Sequence, residues 1–458
     1  MAAEAARPGV RAIQATHRRF VTLAVPMMLS HVTTPLLGLV DATVIGRLGD
    51  AALLGGVALG AVVFDFLFWA FGALRMGTAG LTAQAYGGGD DHEIDATLAR
   101  ALVAAALVGL VLIGLQGPLA TSALALMGGS DAVAGAAHTY ITIRIFAAPF
   151  TLANFAILGS VIGRARTDLG LLLQVGINCL NILLALVFVG WLHWGVAGVA
   201  AATVLAEMAG AGLGLMVLRH LGARPWAVPR AALLEAGALK RMVAVNVDIM
   251  VRTVALVGAF AFFTAQGARS SDTLLAANAV LYNLFLIGSY FLDGFATAAE
   301  QLGGQAFGGR DGAGFRKVVR LALIWSVGVG CIVSLAALAG GGAFIDLVTT
   351  NEAVRAAARQ DLVFAALTPA LGAAAFAFDG IYIGATWTRA MRNLMLAAFA
   401  LFIAAALLLR PLGNDGLWLA MLLFLAGRGF GQAALYPSLL RRSFAAAPSP
   451  EPKALQMS

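Results

Sequence analysis

Polar residues in this chain gather in short clusters that separate long apolar runs. Runs of the roughly 17–25 residues needed to cross a bilayer lie at about 20–46, 51–80, 96–116, 137–163, 168–190, 195–218, 241–266, 273–300, 317–339, 359–385, 391–410 and 416–438. The pattern predicts twelve transmembrane helices. No run shows the alternating ten-residue pattern of a membrane β-barrel, and the first is too long, and too plainly followed by others, for a cleaved signal peptide.

A phrase recurs across these runs. Gln84-Ala85-Tyr86-Gly87-Gly88-Gly89-Asp90 returns as Gln305-Ala306-Phe307-Gly308-Gly309-Arg310-Asp311, each time after one apolar run and before the next. With six runs in each half, both halves enter the membrane from the same face and read as parallel repeats. The expected fold class is an all-α polytopic membrane protein of two six-helix bundles around a central cleft. Its expected divisions are an N-terminal segment 1–19, bundles 20–218 and 241–438, a linker 219–240 and a tail 439–458. Paired bundles of this kind can rock between states open to either side.

Composition agrees: 60% of residues are hydrophobic and 12% charged, against about 25% charged in soluble domains. The net charge of +7 is informative through its placement. With the N-terminus in the cytoplasm, most of the 30 Lys and Arg fall on cytoplasmic segments, so the positive-inside rule puts both termini there; the expected location is a bacterial inner membrane. Cys179 and Cys331 fall inside apolar runs, where each reads as a small buried hydrophobe.

Several chemistries lack their residues. No G-x-x-x-x-G-K-[ST] sequence occurs, and the Gly-rich turns have no lysine to hold phosphates, which argues against ATP-driven transport by this chain alone. His17, His31, His92, His138, His193 and His220 show no metal-ligand spacing. No metal, cofactor or nucleic acid is expected, and a monomer is.

Acids within the runs carry the best chemical signal, because a charge in hydrocarbon costs about 3 kcal/mol or more unless it is neutralised, paired or wet. Asp41 lies about five residues, roughly 8 Å at 1.5 Å per residue, inside the outer end of the first run, beyond Pro26 and Pro35, which allow that helix to bend. Asn181 and Thr203 fall in the same layer, within roughly one helical turn. An acid with amide and hydroxyl neighbours can take up and release a proton. In the second half, Asp248 and Arg252 are four apart and can neutralise each other on one face. Asp293 and Glu300, seven apart, share another face. Asp248, Asp293 and Asp379 lie deeper than Asp41, and Asp65 near mid-span needs a partner or water.

These residues carry a family resemblance. The chain resembles the multidrug and toxic compound extrusion (MATE) transporters, in their DinF-like branch, over about residues 20–440. The resemblance rests on Val40-Asp41-Ala42-Thr43-Val44-Ile45-Gly46, Leu74-Arg75-Met76-Gly77-Thr78 through Gln84, Arg144 to Pro149, and Asn178-Cys179-Leu180-Asn181-Ile182. In the second half it rests on Asn246-Val247-Asp248-Ile249, Asp293-Gly294-Phe295-Ala296 through Glu300, Asp379 to Thr386, and Met391-Arg392-Asn393. It implies efflux of drugs or metabolites driven by inward flow of protons or sodium ions, with Asp41 binding the coupling ion beside Asn181 and Thr203. Ala185 departs from the pattern, standing where family members often carry an acid. Sodium wants several oxygen ligands and a proton needs one basic group, so the departure favours protons.

The expected function is therefore proton-coupled antiport of amphipathic organic compounds by alternating access. Phe64, Trp69, Phe146, Phe155, Tyr282, Phe285 and Tyr290 are candidate cleft lining, since apolar and aromatic walls accept varied ligands. The alternatives are a sodium-coupled exporter and a dedicated exporter or flippase of one metabolite or lipid-linked precursor. A membrane enzyme is disfavoured, because no nucleophile–base pair or metal motif is present.

Overall fold

The fold follows from where the apolar runs are cut. A computed structural model describes residues 15–46, 50–128 and 130–445, with the side chains of 32, 34–37, 39, 41 and 42 outside the described set. The first half comprises α1 (His17–Gly46), α2 (Ala51–Phe71), α3 (Ala73–Gly88), α4 (Asp91–Gly114), α5 (Gln116–Met127), α6 (Asp131–Arg144), α7 (Ala148–Gly163), α8 (Thr167–Ala185) and α9 (Gly195–His220). A short linker helix, α10 (Arg230–Leu233), leads to α11 (Ala236–Ser270), α12 (Asp272–Gly308), α13 (Gly312–Val348), α14 (Glu352–Gly384), α15 (Thr388–Leu408) and α16 (Gly413–Phe444).

Eleven segments among the described residues are long and apolar enough to cross a membrane, from Ala51–Gly88 to Arg410–Phe444. The 30-residue α1 precedes them, over the first predicted run. Polar caps set where these helices start, at the predicted edge for α2 and ahead of it for α4. Asp50 accepts from Ala52 N at 2.8 Å and Asp90 from Glu93 N at 2.9 Å, satisfying backbone donors that a helix start leaves open. Two predicted spans are built from more than one helix. Gly72 divides α2 from α3, and a 3-10 turn at Ile145–Ala147 joins α6 to α7. Helix α8 runs on into a π-helical turn, Leu186–Trp191.

Apolar cores form within each half and between them. Val57, Phe64, Tyr140, Leu152 and Val199 pack in the first half, and Phe263, Phe285, Phe402, Trp418 and Phe424 in the second. A third core joins the halves, bringing Phe20 and Leu23 of α1 against Phe295 and Leu302 of α12 and Phe378 of α14. Hydrogen bonds between the halves gather at the same end, as where Trp325 Nε1 donates to His17 Nδ1 at 3.2 Å.

Candidate functional site

In the first half, helices α8 and α9 bring the two predicted polar neighbours together. Asn181 Nδ2 donates to Thr203 Oγ1 at 3.1 Å, and Thr203 Oγ1 donates to Val199 O at 3.2 Å, both side chains being buried. Asn181 Oδ1 has no hydrogen-bond partner among the described residues. A buried amide oxygen without a donor is costly, so this atom is suited to face a proton-bearing group or water. The backbone of Asp41 lies in α1, but its side chain, like that of Pro35, lies outside the described residues. Pro26 is partly buried, and α1 continues through it as helix. One turn earlier in α8, Asn178 Oδ1 accepts from Gln174 Nε2 at 3.2 Å and Asn178 Nδ2 donates to Thr33 Oγ1 of α1 at 3.3 Å.

Sequence reasoning missed Glu207. It lies four residues beyond Thr203 on the same face of α9, a spacing that was available as a signal. Asn154 Nδ2 of α7 donates to its carboxylate at 2.6 Å and to its backbone carbonyl at 2.9 Å. A cavity of about 70 Å³, whose lining includes Asn154, Gln174 and Glu207, adjoins it. The charge facing Glu207 is Arg144, which also faces Asp65. Arg144 donates to the Tyr140 hydroxyl, and its guanidinium lies 4.9 Å from the Phe64 ring centre. Asp65 is exposed on α2.

Phe64 departs from its expected place on a cleft wall. It is 1% exposed and packs on Phe68 and Tyr140, so it supports Arg144 from the core. Trp69 is half-exposed, as is Phe146. Tyr282 and Tyr290 are partly buried on α12, with Tyr282 against Phe260 at 5.4 Å between ring centres.

The second half holds a denser charge network, and it corrects the expected Asp248–Arg252 pairing. Asp248 of α11 accepts from Arg392 at 2.6 Å and Thr388 at 3.0 Å, both on α15. Arg252 donates instead to Asp379 of α14, which also accepts from Arg428 at 2.6 Å and Gln432 at 2.7 Å on α16. The stronger partners of both groups come from neighbouring helices, α15 for Asp248 and α14 for Arg252. Asp293 and Glu300 project from α12, with Arg75 of the first half facing both; Arg252, Arg428 and Asp379 also face Asp293. Glu300 Oε1 and Arg75 Nη1 are buried without hydrogen-bond partners among the described residues. A second missed cluster joins Asn278, Asn414, Trp418 and Asp361, with Asn414 Nδ2 donating to Asp361 at 2.5 Å and to Asn278 at 2.9 Å.

Two helical halves holding buried, partly unpartnered polar groups match a known architecture. The MatE family profile fits residues 26–187 and 249–408, one match in each half. The chain belongs to the MatE family. Among MatE-type relatives, DNA damage-inducible protein F of Escherichia coli K12 is 40% identical over 415 residues, covering 90% of each chain. A probable multidrug resistance protein NorM of Caulobacter vibrioides is 27% identical over 434 residues, covering 93% of this chain and 88% of that one. Solved structures share the fold. One described as the outward-facing conformation of a multidrug resistance MATE family transporter has a TM-score of 0.85 at 17% identity, covering 96% of this chain and 99% of that one. Another, of MATE in the bent conformation, has a TM-score of 0.85 at 18% identity, covering 93% and 97%.

Proposed function

We propose that this MatE protein is a secondary antiporter that exports amphipathic organic compounds in exchange for protons. The observation that carries the reading is the buried Asn181–Thr203 pair with its open Asn181 oxygen, one turn from the Glu207 carboxylate, inside an apolar bundle. Polar groups cost free energy in hydrocarbon and are characteristic of ion and proton paths there. Asp41, at the same depth by sequence, is the proposed coupling acid. Protonated, it can donate to an amide oxygen such as Asn181 Oδ1; ionised, it needs water or donors.

The bundles 20–218 and 241–438 are the proposed moving units of a monomer in the bacterial inner membrane, with the 219–240 linker and both termini in the cytoplasm. The relatives named for multidrug resistance support varied small organic cargo. The test is reconstitution into liposomes with imposed proton or sodium gradients and a panel of labelled cationic and anionic compounds. Cargo movement driven by a pH gradient without sodium is the expected result. Movement that requires sodium at fixed pH overturns proton coupling, and no gradient-driven movement overturns antiport.

A further inference from the structure

The duplicated phrase forms a reciprocal contact between the halves. Gln84, near the end of α3, donates through Nε2 to Gly384 O of α14 at 2.7 Å. Gln305, its counterpart near the end of α12, donates through Nε2 to Gly163 O of α7 at 3.3 Å. The spacing from Gln84 to Gln305 equals that from Gly163 to Gly384, so each glutamine reaches the equivalent carbonyl of the opposite half. Both glutamines are at least nine-tenths buried.

Those carbonyls are available for a physical reason. α7 and α14 each end in a left-handed residue, Ala165 at φ 59° and Thr386 at φ 53°. In α7, Ala165 N donates to Ile162 O and Arg166 N to Val161 O; in α14, Thr386 N donates to Ile383 O and Trp387 N to Tyr382 O. This closing pattern satisfies the carbonyls just inside the helix end. The next one, on Gly163 or Gly384, takes the glutamine of the other half.

The backbones also touch. A Cβ on Gly87 would lie 2.0 Å from Gln305 O, and one on Gly308 would lie 1.9 Å from Gln84 O. No side chain fits either position while the halves are together. Arg241 donates to Gln84 Oε1, which turns the amide nitrogen towards Gly384, and Thr386 Oγ1 lies 3.2 Å from that nitrogen.

We propose that Gln84 and Gln305 are the paired latch of the transport cycle, sealing this face of the molecule while the other is open, with Gly87 and Gly308 as the sites of backbone contact. The latch rests on the transporter reading. Both latch bonds join neutral groups, and water replaces them at little net cost when the halves part, as a reversible seal requires.

The test measures the opening of this face directly. Spin labels placed at His92→Cys and Ala313→Cys, exposed positions at the starts of α4 and α13, report the separation by electron–electron resonance in nanodiscs, with Cys179 and Cys331 replaced by Ser. In Gln84→Ala/Gln305→Ala the long-distance population is expected to rise about tenfold over the parent, as follows when buried donors to otherwise unpaired carbonyls are removed. Each single variant is expected to fall between. Gly87→Ala is expected to open the face as well. An unchanged distance distribution in the double variant overturns the latch. If that variant does not fold, Gln84→Met/Gln305→Met, which keeps the side-chain length and carries no hydrogen-bond donor, decides by the same criterion. A shifted population together with absent cargo transport in the parent leaves the latch standing and removes the antiporter reading.

Discussion

Glu207 receives a 2.6 Å hydrogen bond from the side-chain amide of Asn154, one helical turn along α9 from Thr203. The polar groups of α8 and α9 thereby extend beyond the Asn181–Thr203 pair into the interior of the first half. A carboxylate there has Arg144 as its facing charge and a small cavity beside it. If Glu207 carries a proton during exchange, Glu207→Gln keeps its shape and the Asn154 contact while removing the titration. Proton-driven transport in liposomes is expected to fall by about a hundredfold or more, the range contributed by positioned proton-transfer groups, with expression retained. Wild-type rates in Glu207→Gln would assign this residue to structure alone.

The Asp379 network makes a prediction about stability. Asp379 holds two guanidinium groups, Arg252 and Arg428, in the interior of the second half. Replacing it by Ala leaves both cations without their carboxylate, and breaking a buried ion pair on one side costs about 3–5 kcal/mol. Asp379→Ala is expected to lower the thermal transition in detergent markedly. Asp379→Ala/Arg428→Met is expected to recover part of that loss, because it also removes one stranded charge. A single variant as stable as wild type would contradict the network's structural weight.

The partner exchange at Asp248 is testable by a double-mutant cycle. Asp248→Asn and Arg392→Gln are expected to show a coupling energy of about 0.5–3 kcal/mol, the range for residues in direct contact. Asp248→Asn and Arg252→Gln are expected to couple less, since each has its strong partner on another helix. The reverse order would restore the pairing expected from their four-residue spacing.

How far the sequence carried the fold can be seen at these sites. Apolar length located the membrane-crossing segments, because a bilayer demands long runs whatever their tertiary neighbours. Depth along the helices placed Asn181 beside Thr203, since rise per residue is fixed. Spacing along one helix says nothing about which neighbouring helices pack against it, and so the four-residue spacing of Asp248 and Arg252 lost to partners from α15 and α14. Phe64 was drawn to the cleft by its aromaticity and lies in the core, because chain position alone does not distinguish an inner face from an open one. Glu207 was within reach through its i, i+4 relation to Thr203. The glutamine repeat was plain in the sequence, but its contact was not, since each glutamine reaches a carbonyl of the opposite half, 300 and 142 residues away along the chain.

The central claim is proton-coupled export with Asp41 as the coupling acid, and the most direct measurement is pH-jump transport of a labelled cationic amphiphile in sodium-free proteoliposomes, run in parallel for wild type and Asp41→Asn. Asp41→Asn resembles the permanently protonated state. The account predicts cargo movement against its gradient in wild type and none in Asp41→Asn, with Asn181→Ala and Thr203→Ala reduced less severely because they leave the carboxylate in place. Wild-type rates in Asp41→Asn would contradict it.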